Sequence, residues 1–186
     1  MGRNEMTDKE SRLLNLIKSK GVEKKTDGFI LASGKRTNLY IDLRKVNLDP
    51  EGINLVGEIM LKKIHELAPE ATHVGGLETG SIPISTAVTL LSKRASPLAG
   101  FWVRKQTKDH GLKNLIEGNL TRSAYAVIVD DVVTTGGSSL QAVRAVREFG
   151  AKVVQVVAIV DRGAVENFKK EGIPYFAFFE ENDISN

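Results

Sequence analysis

The chain has no cysteine. A disulfide framework and a thiolate zinc site are both excluded. It also lacks any apolar run of the about 20 residues that a membrane-spanning helix needs. Met1 to Lys20 mixes acids with bases and has no signal-peptide core. A cytoplasmic location without a membrane partner is expected by elimination. There is no strong excess of one charge either: the net is +3, which is not a nucleic-acid-binding balance. Repeats and low-complexity segments are absent. The composition that remains, 41% apolar and 26% charged over 186 residues, is that of a soluble globular domain with a sizeable core.

Periodicity predicts an amphipathic helix over Thr7 to Lys20, with Leu13, Leu14 and Ile17 on one face and Gly21 as its stop. Phe29 to Leu31 and Leu39 to Ile41 read as short strands around a turn at Ser33 to Lys35. Pro50 opens a helix to about Leu67. From there strands and helices alternate. His73 to Gly76, Leu98 to Val103, Ala126 to Val129 and Val153 to Val160 read as strands, and Tyr175 to Phe179 as a last apolar segment. Ile82 to Ser92, Ser138 to Phe149 and a short run from Ala164 read as helices. Such alternation predicts an α/β fold with a parallel central sheet flanked by helices. Arg104 to Leu120 has no periodicity, and a loop of that length in a compact domain is usually a lid or a binding loop.

The most informative stretch runs from Val127 to Ser139. An apolar strand leads into Asp130 and Asp131, which are expected just past its carboxyl end. Val132, Val133, Thr134, Thr135, Gly136, Gly137 and Ser138 follow, and then a helical pattern. Small residues at a helix start can turn their amides towards a phosphate, helped by the helix dipole. Two carboxylates would repel the phosphate itself. They suit what is attached to it, the vicinal hydroxyls of a ribose. A strand–turn–helix with a surface acid pair is the bland alternative, and the ordered run of residue types favours the ligand site.

Three other segments fall at strand ends. Gly75 to Pro83 is glycine-rich and leads into a helix, which fits a second phosphate group. Arg104, Lys105, Lys108, His110 and Lys113 make one local basic loop on a nearly neutral body, which suggests a small anionic ligand. Asp161-Arg162 ends a strand, and the planar fork of an arginine suits a carboxylate or an imide edge.

The stretch Val127 to Ser139 resembles the phosphoribosyl pyrophosphate motif of the type I phosphoribosyltransferases. Lys108-Asp109-His110-Gly111, five residues, then Glu117-Gly118 is similar to the mobile loop of the orotate phosphoribosyltransferases in particular. Phe29 to Lys35 and Tyr40-Ile41-Asp42-Leu43-Arg44 also resemble that family. The resemblance implies a type I phosphoribosyltransferase fold in one domain over 1–186. A small N-terminal hood would come mainly from about 1–45 and the core from about 46–180. It implies transfer of ribose 5-phosphate from phosphoribosyl pyrophosphate to orotate, giving orotidine monophosphate and pyrophosphate in pyrimidine nucleotide synthesis.

In that reading Lys108, His110, Asp130 and Asp131 are catalytic. Arg104, Lys105, Lys108, His110 and the run Asp130 to Ser138 bind phosphoribosyl pyrophosphate, and Thr134 and Arg162 bind orotate. Magnesium is implied as the partner of the substrate pyrophosphate rather than as a protein-held metal. A homodimer is implied, with part of the lid reaching the neighbour's site. The alternatives are a type I transferase for a purine or uracil, and a regulator that senses phosphoribosyl pyrophosphate. The sequence departs from the family at Ala32 and at Glu78-Thr79-Gly80, where many members carry lysines.

Overall fold

The structure, a computed structural model, describes residues 6–30, 36–93, 96–106 and 115–185. The chain opens with helix α1 (Asp8–Lys20), capped by a reciprocal pair. The Thr7 hydroxyl accepts the Glu10 amide at 3.3 Å, and the Glu10 carboxylate accepts the Thr7 amide at 2.7 Å. Strands β1 (Val22–Ile30) and β2 (Arg36–Ile41) pair antiparallel as a separate two-stranded sheet. Both run longer than their apolar cores suggest, because pairing extends through polar residues such as Lys24 opposite Leu39. A short helix α2 (Arg44–Asn47) follows, which apolar spacing could not reveal in four residues. Helix α3 (Pro50–Leu67) starts where Asp49 Oδ1 accepts the amides of Glu51 and Gly52, each at 3.0 Å.

The alternation predicted for the rest is present. Strand β3 (His73–Gly75), helix α4 (Ser81–Ser92) and strand β4 (Ala99–Val103) are followed by β5 (Ile116–Gly118) and β6 (Tyr125–Val133). Helix α5 (Gly137–Phe149), strand β7 (Lys152–Asp161), helix α6 (Val165–Lys170), strand β8 (Tyr175–Glu180) and helix α7 (Glu181–Ser185) complete it. The six-stranded sheet has the order β5-β4-β3-β6-β7-β8, parallel throughout except for β5 on β4.

Two expectations need correction. Strand β6 continues past Val129, so Asp130 and Asp131 lie within it rather than beyond it. Its ladder with β7 carries on through Asp130 opposite Ala158 and Val133 opposite Asp161, since backbone pairing is indifferent to the side chain's charge. The aperiodic stretch 104–120 also contains β5, three residues on the sheet edge and too short to show alternation.

The core lies in two layers, one on each face of the sheet. Along β6, Val127 and Val129 face α1, α3 and α4, whereas Ala126 and Ile128 face α5 and α6. Strand β7 alternates in the same way, with Val157 and Ile159 on one side and Val156 and Ala158 on the other. These strands are apolar without interruption because both faces are buried. Ile128→Ala is expected to lower unfolding free energy by about 2–5 kcal/mol in urea titration, the range for truncating a fully buried isoleucine.

Candidate active site

Strands β3, β4, β6 and β7 are parallel, so their carboxyl ends share one edge of the sheet. After β3 the chain moves to β4 on one side, and the next parallel strand, β6, lies on the other. The crevice between β3 and β6 is therefore a topological switch point, where open α/β sheets bind ligands. The loops after β3 and β6 meet there. A β-carbon on Gly80 would fall 2.6 Å from Asp131 Oδ1, so the loop approaches the acid more closely than any side chain allows. The space in which a side chain at position 80 would begin belongs to Asp131.

Asp130 is 7% exposed and each of its carboxylate oxygens has a partner within the fold. Oδ2 accepts the Ser139 hydroxyl at 2.6 Å, and Oδ1 accepts the Asp131 amide at 3.0 Å. Burial pushes the Asp130 carboxyl well above the usual carboxylate range, the neighbouring Asp131 charge pushes it further, and the Ser139 hydroxyl opposes both. Asp131 is half-buried, and its Oδ1 accepts the Val132 amide at 2.7 Å. Burial raises its carboxyl too, with a contribution from the charge of Asp42. Asp42 itself is held below the ordinary range by Arg44, which grips it with Nε at 2.7 Å and Nη2 at 2.9 Å.

Beyond the acids, Val132 is half-buried and Val133 buried, and Thr134 and Thr135 are exposed. Gly136 adopts the left-handed conformation, φ 81°, immediately before α5. Gly137 and Ser138 are exposed at the first turn of that helix, and among the described residues no acceptor takes the amides from Thr135 to Ser138. A set of uncommitted donors at the positive end of a helix is an anion site.

The basic residues divide. Arg104 and Lys105 follow β4 at the same edge. Arg104 Nη1 lies 3.9 Å from Glu117 Oε1, and its Nε is a buried donor with no acceptor among the described residues. The Lys105 backbone is pinned on both sides: its amide donates to Glu78 Oε1 at 3.0 Å, and its carbonyl accepts from Gln141 Nε2 at 3.2 Å. Lys108, His110 and Lys113 lie outside the described residues, as do Ala32 and the turn at Ser33 to Lys35. Arg162 directly follows β7, as expected, and its fork is engaged within the fold. Its side chain is 6% exposed, pairs with Glu181 of α7, and donates from Nη2 to the Leu39 carbonyl of β2 at 3.5 Å. Sequence reading missed Glu181, Gln141 and Asn167, each of which acts through a contact distant in sequence. Ser139 closes the motif that the sequence singled out, but its contact with Asp130 within that motif was not foreseen.

A mostly parallel sheet with an acid pair and an amide cradle at its switch point defines a ligand-binding α/β class. Residues 46–178 match the phosphoribosyl transferase domain family. The chain is 48% identical over 168 residues to the orotate phosphoribosyltransferase of Methanocaldococcus jannaschii, covering 89% of this chain and 91% of that protein. The crystal structure of Mycobacterium tuberculosis H37Rv orotate phosphoribosyltransferase in complex with Fe(III) dicitrate superposes with a TM-score of 0.82 at 33% identity, covering 96% of this chain and 99% of that one. The same mycobacterial enzyme in complex with phosphoribosyl pyrophosphate gives 0.78 at 29% identity, over 96% and 93%. The chain belongs to the phosphoribosyltransferase family and, within it, to the orotate phosphoribosyltransferases.

The raised carboxyl of Asp130 fixes the sign of a pH effect. A buried acid that binds its proton more tightly folded than unfolded destabilises the fold as pH rises above the ordinary carboxylate range. Asp130→Asn is therefore expected to raise the melting temperature at pH 8, and to raise it less at pH 5, while activity is lost. An equal or negative shift at both pH values would contradict the placement of a costly charge there.

Proposed function

We infer that this chain transfers ribose 5-phosphate from phosphoribosyl pyrophosphate to orotate, giving orotidine monophosphate and pyrophosphate, as its curated relatives are named for doing. The observation that carries the reading is the pair Asp130–Asp131 set directly before an uncommitted amide cradle at the switch point. One feature binds a phosphate, and the other binds what a phosphate-bearing ribose presents.

The reaction breaks the bond from the anomeric carbon to the pyrophosphate oxygen and forms one to a ring nitrogen of orotate. Positive charge develops on the ribose between the two events. The protein holds the ribose phosphate still, excludes water and offsets the charge leaving with pyrophosphate. The amides from Thr135 to Ser138, with the Thr134 hydroxyl, grip the 5-phosphate. Asp130 and Asp131 orient the ribose hydroxyls, and their charge favours the cationic ribose. Arg104 and Lys105 stand at the root of the loop whose Lys108 and His110 close over the pyrophosphate. The buried Arg104 Nε is a donor suited to one of its oxygens.

Magnesium fits as a charge partner of the pyrophosphate. Its ligands would be largely substrate oxygens and water. Arg162 supplies the positive charge that an orotate carboxylate needs, held in place by Glu181 and tied to the hood through Leu39. The working form is a homodimer in the cytoplasm, each lid completing its neighbour's site.

Loss of orotate absorbance on adding phosphoribosyl pyrophosphate and magnesium tests the reading, with uracil and purine bases as controls. Turnover of a control base in place of orotate would move the chain to another branch of the family. Binding of phosphoribosyl pyrophosphate without turnover of any base would leave a regulator. Lys108→Ala and His110→Ala should lower kcat far more than they weaken orotate binding, because a closing lid acts on the departing group. Arg162→Ala should lower kcat/KM for orotate by roughly two orders of magnitude, the effect of leaving a buried carboxylate unpaired, with phosphoribosyl pyrophosphate affinity nearly intact by calorimetry.

A further inference from the structure

We propose that Asn167 is a positioning residue for the phosphate cradle: its side-chain amide holds the Thr135–Gly136 peptide so that the Gly136 N–H faces the ligand. The proposal rests on reading Thr134 to Ser138 as the site of the ribose 5-phosphate.

Asn167 is half-buried on α6 and donates from Nδ2 to the Thr135 carbonyl at 2.9 Å. In a trans peptide the C=O and the following N–H point in opposite directions. Drawing the Thr135 carbonyl onto α6 therefore turns the Gly136 N–H away from α6. That is the direction required of a donor which, among the described residues, meets no acceptor within the fold. The hydrogen bond is not a loop's chance contact with a mobile neighbour, because α6 is itself firmly mounted. Phe168, the next residue, is fully buried and lies 3.1 Å from where a β-carbon on Gly136 would be, filling the space behind the loop. Its ring stacks on Tyr175 of β8 with centroids 4.2 Å apart. The Tyr175 hydroxyl donates to Asp161 Oδ1 at 2.9 Å. Asp161 in turn accepts the amides of Gly163 and Ala164 at 3.0 and 2.9 Å, fixing the turn that enters α6.

The two contacts from α6 do different work. Phe168 bars the loop from collapsing backwards, and Asn167 sets which way the peptide faces. Without Asn167 the Thr135 carbonyl can turn to water. Rotation is easy at that point because the residue after it is a glycine with access to both halves of backbone space. A cradle that must be reset on binding holds its phosphate less tightly.

The experiment compares wild type, Asn167→Ala and Asn167→Asp by calorimetry with phosphoribosyl pyrophosphate and by steady-state kinetics, with melting temperatures measured alongside. For Asn167→Ala, Kd and KM for phosphoribosyl pyrophosphate should rise roughly three- to tenfold, the effect of one hydrogen bond. The KM for orotate and the melting temperature should stay unchanged. Asn167→Asp should be worse, because it sets a carboxylate against the Thr135 carbonyl. Unchanged phosphoribosyl pyrophosphate affinity in both variants overturns the proposal. So does an equal loss towards both substrates with a lower melting temperature, which would mark a merely structural residue. A wild type that does not bind phosphoribosyl pyrophosphate at all would instead overturn the reading of the cradle.

Discussion

Strand β6 is hydrogen-bonded to β7 from Tyr125 to Val133, and that ladder carries two carboxylates to the end of a strand buried on both faces. The apolar run before them cannot be exposed without losing the core, and the register cannot slip without exchanging the two faces of the sheet. Asp130 is thus held in a poorly solvated place that it would not choose. Its Ser139 and Asp131 partners compensate only in part, and its carboxyl stays raised. A ligand that places hydroxyls or positive charge beside this pair relieves the cost of burial.

Separation of charge makes the rest of the site coherent. The acids sit on the sheet, the uncommitted donors beside them are neutral backbone amides, and the basic Arg104 and Lys105 follow β4. Had lysines lined the cradle, the acids next to it would have been neutralised in the empty protein. With amides instead, no side-chain cation of the cradle offsets the acids, and burial leaves their carboxyls raised. Glu78 and Gln141 anchor the root of that loop through the Lys105 backbone, which leaves the Lys105 side chain exposed at the edge of the crevice.

Around this centre the smaller elements serve as mounts. Helix α6 supports the cradle from behind through Asn167 and Phe168. Helix α7 and strand β2 hold Arg162 between them, linking the last helix, the end of β7 and the small antiparallel sheet at one guanidinium. A buried arginine with a carboxylate partner is stable in one orientation, whereas an unpaired one would carry an uncompensated charge.

The sequence by itself determined the main alternation of strands and helices, the parallel sheet and the stretch that carries the acid pair and its cradle. These follow from local regularities: apolar runs of strand length, helix caps such as Asp49-Pro50, and small residues between a strand and a helix. It also determined the family, because Lys108, His110 and Glu117-Gly118 stand in a spacing that carries recognition without any coordinates. Tertiary structure decided what depends on neighbours distant along the chain. Pairing with β7 drew Asp130 and Asp131 into the strand rather than beyond it. Glu181, 19 residues from Arg162, engages a fork for which the sequence pattern named no protein partner. Asn167, 32 residues after Thr135, meets it only because β7 and α6 return the chain to the back of the loop. Periodicity reports which face of an element is buried; it carries no information about which side chain from another element will arrive there.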